Sequence, residues 1–296
     1  MAIKKVTVAG SGVLGSQIAF QSAFKGFDVT VYDINQEAVN KAKDRIKNLR
    51  HAYHRDIAAS DEEFNAGISR LKYTDDLAQA VSDADLVIEA VPERPDIKHD
   101  FYKKISTLAP AKTIFASNSS TLVPSMFAAD TGRPKQFLNM HFSNQVWLNN
   151  TAEIMGSSET DPAIYNEIVQ YARDIGMVPI QLKKEQPGYI LNSLLIPFLD
   201  AAEKLWINGV ADPHTIDRTW IVATGAPFGP FGILDAVGIR TAYNITAASL
   251  PDNPGLQPIL DKLKELLDEG KLGQESGEGF YKYPNPEFKQ KDFLKG

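Results

Sequence analysis

Two groups of residues in this chain have the types and the spacing to do chemistry. The first is Gly10-x-Gly12-x-x-Gly15, which follows the β-branched run Val6 to Val8 and opens a helical pattern with Val13, Phe20 and Phe24 on one face. In a strand, turn and helix, Gly10 permits the tight turn, Gly12 lets backbone approach a pyrophosphate, and Gly15 lets the helix pack closely on its strand. The free N–H groups at the helix start, around Val13 and Leu14, and the helix dipole then hold the anion. Asp33 lies 18 residues past Gly15 and ends a second β-rich run, Asp28 to Asp33. A carboxylate there accepts hydrogen bonds from a ribose and repels a 2′-phosphate, which selects NAD over NADP. The second group is His141 with Glu153, twelve residues on. His51, His54, His99 and His214 sit in polar surroundings, whereas His141 lies in the apolar run Gln136 to Phe142. If that run pairs with Thr151 to Met155 as a hairpin, Glu153 comes near His141. A carboxylate bonded to one ring nitrogen fixes the tautomer and raises the basicity of the other, as a general base requires. At this level a lone histidine in an apolar strand is more often a satisfied structural residue.

The elements that position these groups alternate in the manner of a doubly wound sheet. Strand-like runs fall at 6–8, 28–33, 68–73, 85–91, 113–116, 136–142, 151–155 and 178–182. Asn35 has the side chain for the N-cap of a helix over about 36–55, and a second helix over 61–70 folds back, so that 36–70 forms a helical arm inserted after the second strand. Asp85 to Val91 carries Glu89 at its carboxyl end with Glu93 just beyond, where open α/β sheets bind ligands. Ser117-Asn118-Ser119-Ser120 ends the next strand and either lines a cleft or caps a helix. Lys183 to Gly188 combines charge with Pro-Gly and reads as a boundary. The expectation is an NAD-binding domain over 1–184 and a helical domain over 185–296, with helices at 189–208, 212–222, 239–249 and 256–269. The 189–208 helix places Ile190, Leu194, Phe198, Ala201 and Leu205 on one face, with Pro197 as a kink. A helical domain with several apolar faces is expected to form a homodimer.

Composition excludes other classes. A net charge of -6 and a pI near 5.5 argue against nucleic acid. The absence of cysteine rules out disulfides, thiol nucleophiles and thiolate metal sites, and no metal is expected. No apolar run approaches the roughly 18 residues of a membrane span. The first residues run straight into the first strand with no targeting pattern, so the expected location is cytoplasmic. Against this acidic background, 41–55 holds six Lys or Arg and one acid. It is either a solvated helix face or, through Arg50, His54 and Arg55, a docking surface for a phosphorylated carrier such as coenzyme A.

Taken together, these blocks resemble the single-function L-3-hydroxyacyl-CoA dehydrogenases over nearly the whole length. The resemblance rests on Gly10 to Gly15 with Asp33, Ile88-Glu89-Ala90 with Glu93, and Ser117 to Ser120. It includes His141-Phe142 with Asn144, Glu153, Pro187-Gly188-Tyr189 with Asn192, Ala226 to Pro230 and Gly277 to Tyr283. It implies a Rossmann-type α/β domain carrying a helical arm, then an all-α dimerisation domain. It implies that His141 is the base, oriented by Glu153, that Ser120 and Asn192 bind the substrate oxygen, and that Glu93, Lys98 and Asn118 lie near the nicotinamide. The implied reaction moves hydride from C3 of a short L-3-hydroxyacyl-CoA to NAD while His141 takes the hydroxyl proton. One departure stands out. The family usually carries proline after the Asn that follows the catalytic histidine. Here Gln145 stands in its place, and Asn149 to Ala152 is more polar than the family pattern. The loop lies between His141 and Glu153, so a substrate without coenzyme A, as in the related carnitine and gulonate dehydrogenases, is the alternative. A non-catalytic NAD-binding protein is a third.

Overall fold

The computed structural model describes residues 3–295. The strands are β1 (Lys5–Ala9), β2 (Asp28–Tyr32), β3 (Leu71–Thr74), β4 (Leu86–Glu89), β5 (Ile114–Ser117), β6 (Phe137–Phe142), β7 (Thr151–Gly156) and β8 (Val178–Leu182). They form one eight-stranded sheet in the order β3-β2-β1-β4-β5-β6-β7-β8. The strands β1 to β6 run parallel; β7 pairs antiparallel with β6, and β8 parallel with β7. Parallel strands are buried on both faces, and the side chains divide accordingly. Val6, Val8, Ile88, Leu138 and Met140 enter one core. Ala9, Val87, Phe115 and Phe137 enter the other. The chain leaves β1 toward β2 on one side and resumes at β4 on the other, which opens a crevice at the strands' carboxyl ends.

Helices α1 (Val13–Phe24), α4 (Leu77–Val81), α5 (Pro95–Leu108) and α6 (Pro162–Asp174) serve this sheet, while α2 (Gln36–Ile57) and α3 (Asp61–Ser69) form the expected arm. Asn35 caps α2 by accepting from the Ala38 N–H at 2.9 Å. Ser60 and Glu63 form a reciprocal capping box on α3. Aromatic packing fixes the arm to α1: the Phe20 ring centroid lies 4.9 Å from Tyr53 and 4.4 Å from Phe64. Val13 departs from the expected face. It is 63% exposed because it opens α1, ahead of the stretch 15–23 that is covered on both faces.

Contacts divide the chain into Met1–Leu191 and Asn192–Gly296. The second unit comprises most of α7 (Tyr189–Ile207), with α8 (Pro213–Thr224), α9 (Pro230–Val237), α10 (Ile239–Ser249) and α11 (Gln257–Asp268). Helix α9 lies outside the expected helices; Pro230 occupies its first turn, where its missing N–H costs nothing. Two buried carboxylates hold this unit together. Asp217 of α8 accepts from the N–H groups of Phe231 and Gly232, at 2.8 and 2.9 Å, and so caps α9 from another helix. Asp235 accepts from Phe280 N–H, Tyr281 N–H and the Tyr283 hydroxyl. A Cβ on Gly279 would lie 2.0 Å from the Asp235 carboxylate, which accounts physically for that glycine, while Gly277 takes a left-handed φ of +83°.

Helix α7 continues through Pro197. Its inward stripe is Leu195, Leu199, Ala202 and Trp206, not the expected Ile190, Leu194 and Leu205, which are 46%, 69% and 43% exposed. Both stripes have helical spacing, so periodicity cannot rank them; of the expected stripe Phe198 packs against the core, while Ile190, Leu194 and Leu205 are left uncovered. Among the described residues no helix is long and apolar enough to cross a membrane.

Candidate active site

The expected hairpin forms, and its register decides what faces what. In the antiparallel β6–β7 pair His141 stands directly opposite Glu153, so their side chains share one face of the sheet. The His141 Nδ1 to Glu153 Oε2 distance is 3.1 Å, and both residues are buried. The other carboxylate oxygen, Oε1, accepts from the backbone N–H groups of Ile190 and Leu191 at 3.0 Å each, at the first turn of α7. Burial alone would raise the Glu153 carboxyl, but the bonds from His141 and from these N–H groups outweigh it and hold the group below the ordinary range. An ionised Glu153 keeps the proton on Nδ1 and leaves the Nε2 lone pair available.

A second acid–base cluster occupies the carboxyl ends of β4 and β5. Glu89 is fully buried and accepts from Lys98 Nζ at 2.6 Å, Tyr102 Oη at 2.9 Å, Ser117 Oγ at 2.7 Å and Val91 N–H at 2.9 Å. Lys98 also lies 3.2 Å from Glu93. Glu93 in turn gathers the serine loop: its Oε1 accepts from Ser119 Oγ and from the N–H groups of Ser120 and Thr121. Burial opposes ionisation of Glu93, but the bond from Ser119 and the Lys98 charge prevail and keep it below the usual carboxylate range. Lys98 is thus a buried cation balanced by two carboxylates rather than an exposed contact. Asn118 Oδ1 accepts from Phe142 N–H at 3.0 Å and ties the loop to the strand that carries His141.

The glycine turn fits a dinucleotide by a steric test. Gly10 has φ +93°, and a Cβ there would meet the Ala90 carbonyl oxygen at 2.3 Å; a Cβ on Gly15 would meet the Gly10 carbonyl oxygen at 1.9 Å. At Gly12 an added Cβ has nothing within 4 Å, so this glycine serves no neighbour in the chain and borders the open space of the crevice. Val13 and Leu14 begin α1, where N–H groups lack helical partners. Asp33 follows β2 and accepts from Ser11 N–H, Ser11 Oγ and Ile34 N–H at 2.6–2.8 Å. An ionised carboxylate has about four acceptor positions, so one is open to a ribose hydroxyl. Arg45 of the arm donates to the Ser11 carbonyl at 3.0 Å and braces the same turn.

The loop from Ser143 to Asn150 is held by bonds to other elements and by bonds of its own. Gln145, where the family pattern has proline, adopts φ +59° and donates its N–H to Gln17 Oε1 at 2.7 Å. Proline can do neither, so the departure belongs to a differently anchored loop. Trp147 Nε1 donates to Asp56 of α2 at 2.9 Å, and Asn149 Nδ2 donates to the Asn144 carbonyl. The three residues expected to hold a carrier are engaged within the arm. Arg50 pairs with Asp61 and donates to Asn65, His54 Nε2 lies 3.4 Å from Asp61, and Arg55 grips Asp56 at 2.6 and 2.9 Å. Asn192 is half-buried in α7, one residue past Leu191.

Comparison with known proteins decides the family. Residues 5–186 match the 3-hydroxyacyl-CoA dehydrogenase NAD-binding domain, and residues 188–283 match the C-terminal domain of the same family. The chain belongs to the 3-hydroxyacyl-CoA dehydrogenase family. It is an NAD-dependent oxidoreductase that acts on CH–OH groups. It is 33% identical to human mitochondrial hydroxyacyl-coenzyme A dehydrogenase over 95% of this chain and 91% of that protein. It is also 33% identical to a probable 3-hydroxybutyryl-CoA dehydrogenase of Deinococcus radiodurans, over 94% of this chain and 100% of that protein. A solved structure of a diketoreductase, described as acting on dicarbonyl compounds, is 56% identical and superposes with a TM-score of 0.92 over 96% of this chain and 100% of that one. Gln17 carries no expectation from the sequence; a buried polar residue within an apolar helix is the signal for it.

Proposed function

We propose that this dehydrogenase interconverts a 3-hydroxy and a 3-oxo compound that also carries a carbonyl at C1, with His141 as general base and Glu153 as its orienting partner. The observation that carries the reading is the His141–Glu153 register with Glu153 held ionised by two backbone N–H groups. In oxidation, Nε2 of His141 takes the proton of the 3-hydroxyl, and Glu153 stabilises the imidazolium that forms. In reduction the same nitrogen returns the proton to the developing alkoxide. Bound NAD supplies the hydride acceptor, and NADH the donor. Ser120 holds the substrate oxygen, Gly10 to Gly15 and Asp33 hold the dinucleotide, and Glu93, Lys98 and Asn118 shape its nicotinamide end.

Two substrate classes share this C1–C3 unit. A short L-3-hydroxyacyl-CoA is favoured by the family and by the relatives named for coenzyme A substrates. A dicarbonyl compound without the carrier is favoured by the diketoreductase likeness and by the arm itself. Arg50 and His54 face Asp61, Arg55 is neutralised by Asp56, and α3 adds Glu62 and Glu63. An arm that cancels its own field draws a carrier phosphate weakly. We therefore favour the carrier-free dicarbonyl. In a panel followed by NADH consumption, 3-oxo esters and 3,5-dioxo esters are expected to turn over at least as efficiently as acetoacetyl-CoA; activity confined to the CoA thioester would restore the first class.

A homodimer through the second domain belongs to the same proposal, supported by the uncovered stripe Ile190, Leu194 and Leu205. Sedimentation at twice 32.6 kDa is expected, and a stable monomer at micromolar concentration would remove it.

A further inference from the structure

Tyr189 combines four features that no single packing requirement explains. It is fully buried, yet it carries a hydroxyl. Its φ is +55°, in the left-handed region that bulky residues avoid. Its ring lies on the imidazole of His141, with centroids 4.6 Å apart and planes 16° from parallel. Its hydroxyl donates to the Ser119 carbonyl at 2.7 Å and accepts from Asn139 Nδ2 at 2.9 Å. Asn139 lies two residues before His141 on β6, on the same face of the sheet. Ser119 precedes Ser120 in the loop gathered by Glu93. The left-handed turn through Gly188 and Tyr189 also turns the chain so that the next two N–H groups reach Glu153. A strained conformation that places one side chain against three parts of a site points to a positioning role.

We infer that Tyr189 is a positioning residue, which fixes the plane of the His141 ring by stacking and, through its hydroxyl, sets the separation between the base and the Ser119–Ser120 loop. The inference rests on the reading of His141 as the base. The two contributions separate by substitution. Tyr189→Phe keeps the ring and removes both hydroxyl bonds; Tyr189→Leu removes the stack as well.

The test measures kcat and KM for substrate and NADH, thermal unfolding, and the nitrogen chemical shifts of His141 in cofactor-free protein. Tyr189→Phe is expected to lower kcat by about threefold to tenfold, in keeping with lost hydrogen bonds, with the KM for NADH unchanged and a single Nδ1–H tautomer retained. Tyr189→Leu is expected to lower kcat by on the order of a hundredfold, the scale of a misplaced reacting group, and to give a mixed tautomer population. Wild-type kcat in Tyr189→Phe together with an unmixed tautomer in Tyr189→Leu would overturn the inference. So would losses of kcat that only track the lost folded fraction. Full activity of a His141→Ala variant measured alongside would instead overturn the reading beneath it.

Discussion

Alanine at position 141 is expected to abolish turnover while sparing cofactor binding. General acid–base catalysis by a positioned side chain contributes about 10²–10⁴-fold, so His141→Ala falls by at least about a hundredfold in kcat in both directions. The alanine leaves Gly10 to Gly15, Asp33 and the Glu89–Lys98–Glu93 cluster untouched, so the dissociation constant for NADH, read by fluorescence, stays within about twofold of wild type by the ordinary independence of separated sites. Glu153→Gln tests the partner. Glutamine still accepts from the N–H groups of Ile190 and Leu191 through one oxygen, but its neutral amide neither stabilises an imidazolium nor selects the Nδ1–H tautomer. Its kcat is expected to fall with the substrate KM little changed, because the loss is confined to the transition state. Near-normal turnover of His141→Ala would remove the residue from the base role.

The second large effect separates two glycines of one motif. Gly15→Ala places a Cβ 1.9 Å from the Gly10 carbonyl oxygen, a backbone atom that cannot yield without opening the turn. Overpacking of this kind costs about 1–3 kcal/mol or more, and here the strain falls on the β1–α1 connection at the centre of the sheet. Unfolding at lower temperature and loss of NADH binding are expected together. Gly12→Ala has nothing within 4 Å, so its unfolding temperature should match wild type. Its methyl group enters the space where a pyrophosphate approaches the backbone, so NADH binding should weaken by about tenfold or more. Thermal unfolding and NADH titration on the two variants check the pair. Equal destabilisation of both, or undiminished NADH affinity in Gly12→Ala, would contradict the assignment of Gly12 to the cofactor.

Much of this architecture was legible in the residues. The β-branched runs and glycine turn predict a parallel sheet with a dinucleotide crevice, and residues 28–33 and 85–91 fall on β2 and β4. The capping side chain of Asn35 marks the start of the arm, and the apolar runs around His141 and Glu153 predict their pairing. What was not legible depends on which partners the fold brings against each side chain. That Lys98 is buried follows from Glu89 and Glu93, which its own helical segment does not announce. That Arg50 and Arg55 are neutralised depends on α3 folding back over α2 and on Asp56 lying within reach, so a local count of charges overstated the field. Helix α9 escaped notice because its cap is Asp217, supplied by α8. The inward stripe of α7 was misjudged because the helix is apolar on more than one face, and only packing selects between them.

The pairing of β6 with β7 has a consequence for how this enzyme could change. Register in an antiparallel ladder is set by the strands, and a slip of one residue would bring Ala152 or Ile154 opposite His141 in place of Glu153. The facing of His141 and Glu153 is therefore specified by the backbone hydrogen bonds of the ladder. The segment between them, Ser143 to Asn150, lies outside the β6–β7 rungs and is fastened in part by side chains, Gln17 and Asp56 among them. On the proposed mechanism, the hairpin thus keeps inheritance of the reaction apart from inheritance of the substrate: the rungs carry the proton, and the bend decides whose proton it is.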